Sequence, residues 1–146
     1  MKVPSLKSII LVDDDEISNL FNKIFIGKLN LDVKVDIFLN GQEALEYLDC
    51  LAGAENTSSI EQPCLLLLDI KMPKMDGWKF MTLYLEKIDA ALRENIVVVM
   101  LTTSEDEGDM IKAMQNPHIQ EFMQKPLSEK KFRHLIKKFF TKKELK

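Results

Sequence analysis

CLLLLDIKMPKMDG, residues 64–77, drives a run of leucines into a carboxylate, Asp69, and then turns through Pro73 and Gly77. An apolar run this short and unbroken reads as a strand covered on both faces, which is the habit of parallel sheets. The leucines pull the carboxylate at their end away from water, and that costs free energy unless something positive meets it. The compensating charge has to come from elsewhere in the chain.

Four other segments share the strand-like pattern: residues 9–12, 31–38 (alternating at Leu31, Val33, Val35 and Ile37), 96–101 and 121–124. Helical spacing fills the gaps between them. Ile17, Leu20, Phe21, Ile24, Phe25 and Leu29 form one apolar stripe, the pattern of a helix with a core-facing side. Asn40 caps a second helix, with Glu43 at the capping-box position. A third runs from 77 to about 88, with an extension toward 93, and a fourth covers 105–114. Ser128 opens the last, which reaches about 141 with Leu127 ahead of its cap and Phe132, Leu135, Ile136, Phe139 and Phe140 inward.

Strand and helix thus alternate along the chain. Crossovers of this kind are right-handed and put helices on both sides of a sheet. The fold class is therefore α/β, a doubly wound parallel sheet with any site at the carboxyl ends of its strands. The polar stretch AGAENTSSIEQ, residues 52–62, reads as a surface insertion, and 1–146 as a single domain.

The chain has 146 residues, 46% of them apolar and 29% charged, which is the profile of a globular domain. A formal net charge of -3 gives no basic field for nucleic acid or an acidic membrane. Two cysteines, Cys50 and Cys64, have no partner at metal-ligand spacing and read as reduced, buried thiols. The apolar run 9–12 is too short for a signal peptide or a membrane span, so a cytoplasmic protein is expected. The eight methionines read as core filling, and His118 and His134 as surface residues.

The residues just after each strand carry more information. The first strand ends in Asp13-Asp14-Asp15, the third in Asp69, the fourth in Thr102 and the fifth in Lys125-Pro126. In a parallel sheet these ends share one edge. Clustered carboxylates raise one another's pKa, and a hard divalent cation and an ammonium relieve that. Mg2+ and Lys125 would do so here. The same arrangement suits a phosphoryl group, with Thr102 donating to its oxygens and Asp69 as the attacking carboxylate. Singly, each residue has a plainer reading: Asp13, Asp14 and Asp15 as helix caps, Asp69 as a turn former, Lys125 as a solvated charge. Their occurrence together, in order, at four strand ends carries the weight.

ILVDDDE, LLLLDIKMPKMDGW, VVVMLTTS and FMQKPL resemble the signature segments of the response-regulator receiver domain of two-component signalling, over about residues 7–141. That resemblance implies a flavodoxin-like sheet of five parallel strands in order 2-1-3-4-5. It implies that Asp69 accepts a phosphoryl group from a histidine kinase or histidine phosphotransfer protein. Asp14 would ligate Mg2+ directly, Asp13 through water, and Lys71 through its backbone carbonyl. Thr102 and Lys125 would bind the phosphoryl oxygens. Phe122, three before Lys125, falls where the family keeps an aromatic switch, and a downstream protein would read the face of the fourth helix, fifth strand and fifth helix. Departures from the family pattern are Asn116-Pro117-His118-Ile119 before the last strand, Phe122 without a hydroxyl, Lys71 at the mouth of the site and Thr103 beside Thr102. The 52–62 insertion resembles longer-loop receivers, some of which partner phytochrome-type kinases.

Two other readings compete. A phosphatase of the haloacid-dehalogenase kind also uses an aspartyl phosphate, and Asp13-Asp14-Asp15 contains its D-x-D. It needs a further carboxylate pair after the lysine, and only Glu129 and Glu144 come after Lys125. The other is a receiver-like binding module that takes no phosphate, which Mg2+ titration followed by Trp78 fluorescence separates from the first. Direct nucleic-acid binding is not expected. The basic last helix (Lys130, Lys131, Arg133, Lys137, Lys138, Lys142, Lys143) reads as a solvated face complementing the helix dipole, with a homodimer or partner contact as its other use.

Overall fold

A computed structural model describes residues 6–52, 63–102 and 107–140. The strands are β1 (Ser8–Val12), β2 (Lys34–Phe38), β3 (Cys64–Asp69), β4 (Ile96–Thr102) and β5 (Glu121–Gln124). The helices are α1 (Glu16–Gly27), α2 (Gly41–Ala52), α3 (Gly77–Lys87), α4 (Ala90–Arg93), α5 (Glu107–Met114) and α6 (Glu129–Phe140). All strand pairs are parallel and the order is β2-β1-β3-β4-β5, as the fold class expects. The short α4 shifts the numbering, so the fourth and fifth helices read from sequence are α5 and α6.

The central strands are unbroken apolar runs because both faces are covered. Ile10, Val12, Leu66, Leu68, Val98 and Met100 pack on one side with α2 and α3, through Leu45, Leu48, Phe80 and Tyr84. Ile9, Leu11, Leu65, Leu67, Val97 and Val99 pack on the other, with Ile26 of α1 and Phe132, Leu135 and Phe140 of α6. The period of two that divides these residues is the pleat itself.

Four sequence expectations change. The α1 stripe faces the core only in part: Ile17, Leu20, Phe21 and Ile24 are exposed, from 66% at Ile17 to 44% at Ile24, while Phe25 and Leu29 are half-buried against the core. The buried residues of α1 are Asn19, Asn22 and Ile26. Spacing says which residues share a face and not which way it turns. Here Asn19 and Asn22 lie on the buried side with Ile26, and the Asn19 amide is satisfied there by donating to the Asp13 carbonyl at 2.9 Å. The second strand is shorter than 31–38. The third helix does not continue to 93, because Ile88 is buried in an extended conformation (φ -97°, ψ 127°) and separates α3 from α4. Methionines also divide: Met72, Met75, Met81 and Met100 are buried, while Met110 and Met114 are exposed. Cys64 is buried and free, and both histidines are exposed. Of the insertion expected at 52–62, Ala52 is the last residue of α2, and the remainder, residues 53–62, lies outside the described residues, as does Thr103.

Candidate functional site

Strand register gathers the polar residues. Val12 pairs with Leu68, Asp69 with Leu101, and Thr102 with Gln124. Asp13, Asp69, Thr102 and Lys125 therefore occupy neighbouring positions along one rim. Asp13, Asp69 and Thr102 are almost fully buried there, at 3%, 6% and 1% exposure.

Local structure fixes each side chain. Asp15 caps α1, accepting from Ile17 N at 3.0 Å and from the Ser18 hydroxyl at 3.0 Å. This frees Asp13 from the capping role, and its Oδ1 instead accepts the Asp15 N–H at 2.9 Å. After Asp69 the chain reverses tightly. Ile70 N–H donates to Leu101 O at 3.0 Å, and Gly77 N–H returns to Ile70 O at 2.7 Å. A Cβ on Gly77 would stand 2.9 Å from Ile70 Cα and 3.0 Å from Asp69 O, so only glycine allows this closure. Asp76 then caps α3 through Lys79 N–H at 2.8 Å. On the far side Lys125 N–H donates to Thr102 O at 2.7 Å, tying the two strand ends together.

Lys125 is the charge that the leucine-carboxylate run requires. Its Nζ lies 2.6 Å from Asp13 Oδ2 and 3.7 Å from Asp69 Oδ2. Burial pushes the Asp69 carboxyl up to about 7, and the Asp13 charge adds to that push. Lys125 and the Lys71 backbone N–H oppose it. Burial works to lower the Lys125 pKa, but the hydrogen bond and charge of Asp13, with Asp69 and Asp15, leave it raised. One ammonium thus compensates two buried acids incompletely.

A carboxylate oxygen from each of Asp13, Asp14 and Asp69 lies within 4.8 Å of the others, with Asp14 on the solvent side. Three hard anionic oxygens on an open rim match what Mg2+ takes from proteins, a few carboxylates with the other positions left to water or phosphate. The residues present therefore fit the metal.

The structure brings together Asp13, Asp14, Asp69 and Lys125 and places Thr102 at the adjoining strand end. Lys71 is exposed at the mouth and turns its backbone N–H to the Asp69 carboxylate. Phe122 stands apart on β5, half-buried and paired in register with Met100. Three contributions were missed from sequence. They are the Asn19 bond to Asp13, the two backbone bonds made by Lys131, and a contact of Trp78 with α5. In the last, the indole N–H donates to Asp109 Oδ1 at 3.3 Å and Lys112 Nζ lies 4.4 Å from the ring centroid. Only Asn19 left a trace, as a polar residue on the side of α1 opposite the stripe. The departure at 116–119 is a tight turn, with His118 N–H donating to Asn116 Oδ1 at 2.9 Å.

The fold is thus a doubly wound sheet in this order that carries three acids and an ammonium at its carboxyl rim. Residues 9–137 match the sequence model of the response regulator receiver domain, and the chain belongs to that family of signalling domains. It is similar to the "Probable methanogenesis regulatory protein FilR2" of Methanothrix harundinacea, 31% identical over 82% of this chain and 72% of that one. Among solved structures, a two-component response regulator from Cytophaga hutchinsonii superposes with a TM-score of 0.79 at 25% identity, covering 92% of this chain and 96% of that one. The bacteriophytochrome response regulator AtBRR gives 0.70 at 30% identity, with 92% of each chain covered. No helix among the described residues is long and apolar enough to cross a membrane.

Proposed function

We propose that this receiver domain is a cytoplasmic phosphorylation switch, with Asp69 accepting a phosphoryl group from a histidine kinase or histidine phosphotransfer protein. One observation carries the reading: a single ammonium reaches both Asp13 and Asp69 while a third acid faces solvent beside them. Asp13, Asp14, Asp69 and the Lys71 carbonyl would hold Mg2+, which when bound neutralises charge on the phosphoryl oxygens.

The chain's own residues do the rest. An Asp69 oxygen attacks phosphorus in line, a P–O bond forms to the carboxylate, and the P–N bond to the donor imidazole breaks. Lys125 transfers part of its attraction from the Asp69 oxygen to the phosphoryl oxygen that replaces it. The Thr102 hydroxyl donates to another oxygen, drawing the end of β4 inward. Phe122, packed against the core beneath that strand, follows into the space released. Such a two-state element needs several kcal/mol of differential interaction, roughly what two or three charge-assisted bonds to a phosphoryl group supply.

Two exposed faces suit the partners. The apolar stripe of α1 begins beside Asp14 and Asp15 and would seat the donor next to Asp69. Between α5 and β5, Met110, Ala113, Met114, Ile119 and Phe122 line a groove of about 330 Å³, where a downstream protein would read the position of Phe122. Acetyl phosphate with Mg2+ is expected to add one phosphoryl group to the wild type and none to Asp69→Asn. Unchanged intact mass in the wild type, or equal labelling of the variant, would falsify the reading.

A further inference from the structure

We propose that Lys131 is a positioning residue for phosphoryl transfer, acting through the main chain on either side of Lys125. The inference rests on the acceptor role proposed for Asp69. Its basis is the peptide joining Gln124 to Lys125. Among the described residues, β5 lies at the end of the sheet and pairs only with β4. The N–H of that peptide donates inward to Thr102 O at 2.7 Å. In a trans peptide the carbonyl points the opposite way from the N–H, so Gln124 O faces off the sheet edge, where no strand among the described residues meets it. Lys131 meets it instead. Its Nζ donates to Gln124 O at 2.8 Å and to Pro126 O at 2.9 Å.

Lys131 is well placed for this. Its own N–H is fixed by the Ser128 hydroxyl at 3.1 Å in the first turn of α6, and Phe132, the next residue, is fully buried. Pro126 has no N–H and cannot extend the ladder, so strand pairing ends at Lys125. Past that point the ammonium of Lys131 holds the backbone through carbonyls before and after Lys125. Bonds from a charged donor are about twice as strong as neutral ones. The Lys125 side chain, reaching to within 2.6 Å of Asp13 and 3.7 Å of Asp69, is therefore aimed from a backbone gripped on both edges. Loss of the grip moves Nζ relative to the phosphoryl oxygens without touching any reacting group. Misplacement of about 1 Å at such a site costs up to about a hundredfold in rate.

The test measures labelling by acetyl phosphate at saturating Mg2+, Mg2+ affinity by Trp78 fluorescence, and thermal midpoint. It compares wild type, Lys131→Met, Lys131→Gln, Lys131→Arg and Lys130→Met. Lys130 is exposed on the same turn and controls for lost surface charge. Lys131→Met is expected to label about tenfold more slowly, with Lys131→Gln between it and wild type, while the Mg2+ half-saturation point stays within about twofold. Lys131→Arg, which keeps charge and donors, restores most of the rate, and Lys130→Met stays within about twofold of wild type. Lys131→Gln keeps the comparison available should Lys131→Met fail to fold. Wild-type rates in both Lys131→Met and Lys131→Gln overturn the inference, as does equal slowing in Lys130→Met or no recovery in Lys131→Arg. A wild type that takes no label refutes the acceptor reading itself, and the inference falls with it.

Discussion

Asp69→Asn should stabilise the metal-free protein, and the gain should depend on pH. Asp69 is held at the rim with its carboxyl pushed from 3.8 up to about 7, chiefly by burial and next by Asp13. A group whose pKa is raised on folding destabilises the fold wherever it is ionised in both states. The penalty is absent below about pH 4, grows between 4 and 7, and is complete above 7. At about 1.4 kcal/mol per pH unit, the rise bounds the penalty at about 4 kcal/mol. Water at the open rim screens this to about 2 kcal/mol. Asparagine keeps the shape and removes the charge, so in EDTA at pH 8 urea denaturation should show a gain of about 2 kcal/mol, and thermal denaturation a midpoint rise of about 4–8 °C. At pH 4.5 the difference should nearly vanish. Saturating Mg2+ should reverse the order, because only the wild type presents all three acids. An Asp69→Asn protein no more stable than wild type at pH 8 without metal, or one equally more stable at both pH values, would refute the electrostatic reasoning.

Lys125→Met should do the opposite, leaving Asp13 and Asp69 without their cation and costing about 3 kcal/mol in EDTA, with partial recovery in Mg2+; urea denaturation measures both. Ile17→Ser with Phe21→Ser should change stability by less than about 1 kcal/mol, because both side chains are exposed. The same pair should slow transfer from any phosphotransfer protein that labels the wild type, while the acetyl phosphate rate holds. Gly77→Ala should cost about 1–3 kcal/mol by thermal denaturation, since its Cβ has to displace the Ile70 and Asp69 backbone. A fully stable Gly77→Ala would mean that the turn after Asp69 is looser than the Gly77 to Ile70 bond implies.

The sheet was legible because its three central strands are buried on both faces and show as unbroken apolar runs, each with polar punctuation at its carboxyl end. The rim was legible because parallel topology turns four separated segments into neighbours. The orientation of α1 was not. Its apolar stripe outweighs Asn19 and Asn22 in any periodicity, yet both asparagines are buried and the Asn19 amide finds its partner in the Asp13 carbonyl. The break at Ile88 was hidden for a related reason, since isoleucine suits helix and strand alike and only its burial between α3 and α4 decides. Lys131 looked like one more charge on a basic helix. Its role comes from two carbonyls left at a sheet edge, and backbone acceptors leave no mark in sequence.

Trapping the modified side chain tests the central claim most directly. Protein treated with acetyl phosphate and Mg2+ is reduced with borohydride, which converts an aspartyl phosphate to homoserine, and the peptides are sequenced by mass spectrometry. Homoserine at position 69 alone is the predicted result. Homoserine at 13 or 14, or at no position in a protein that binds Mg2+, would contradict it.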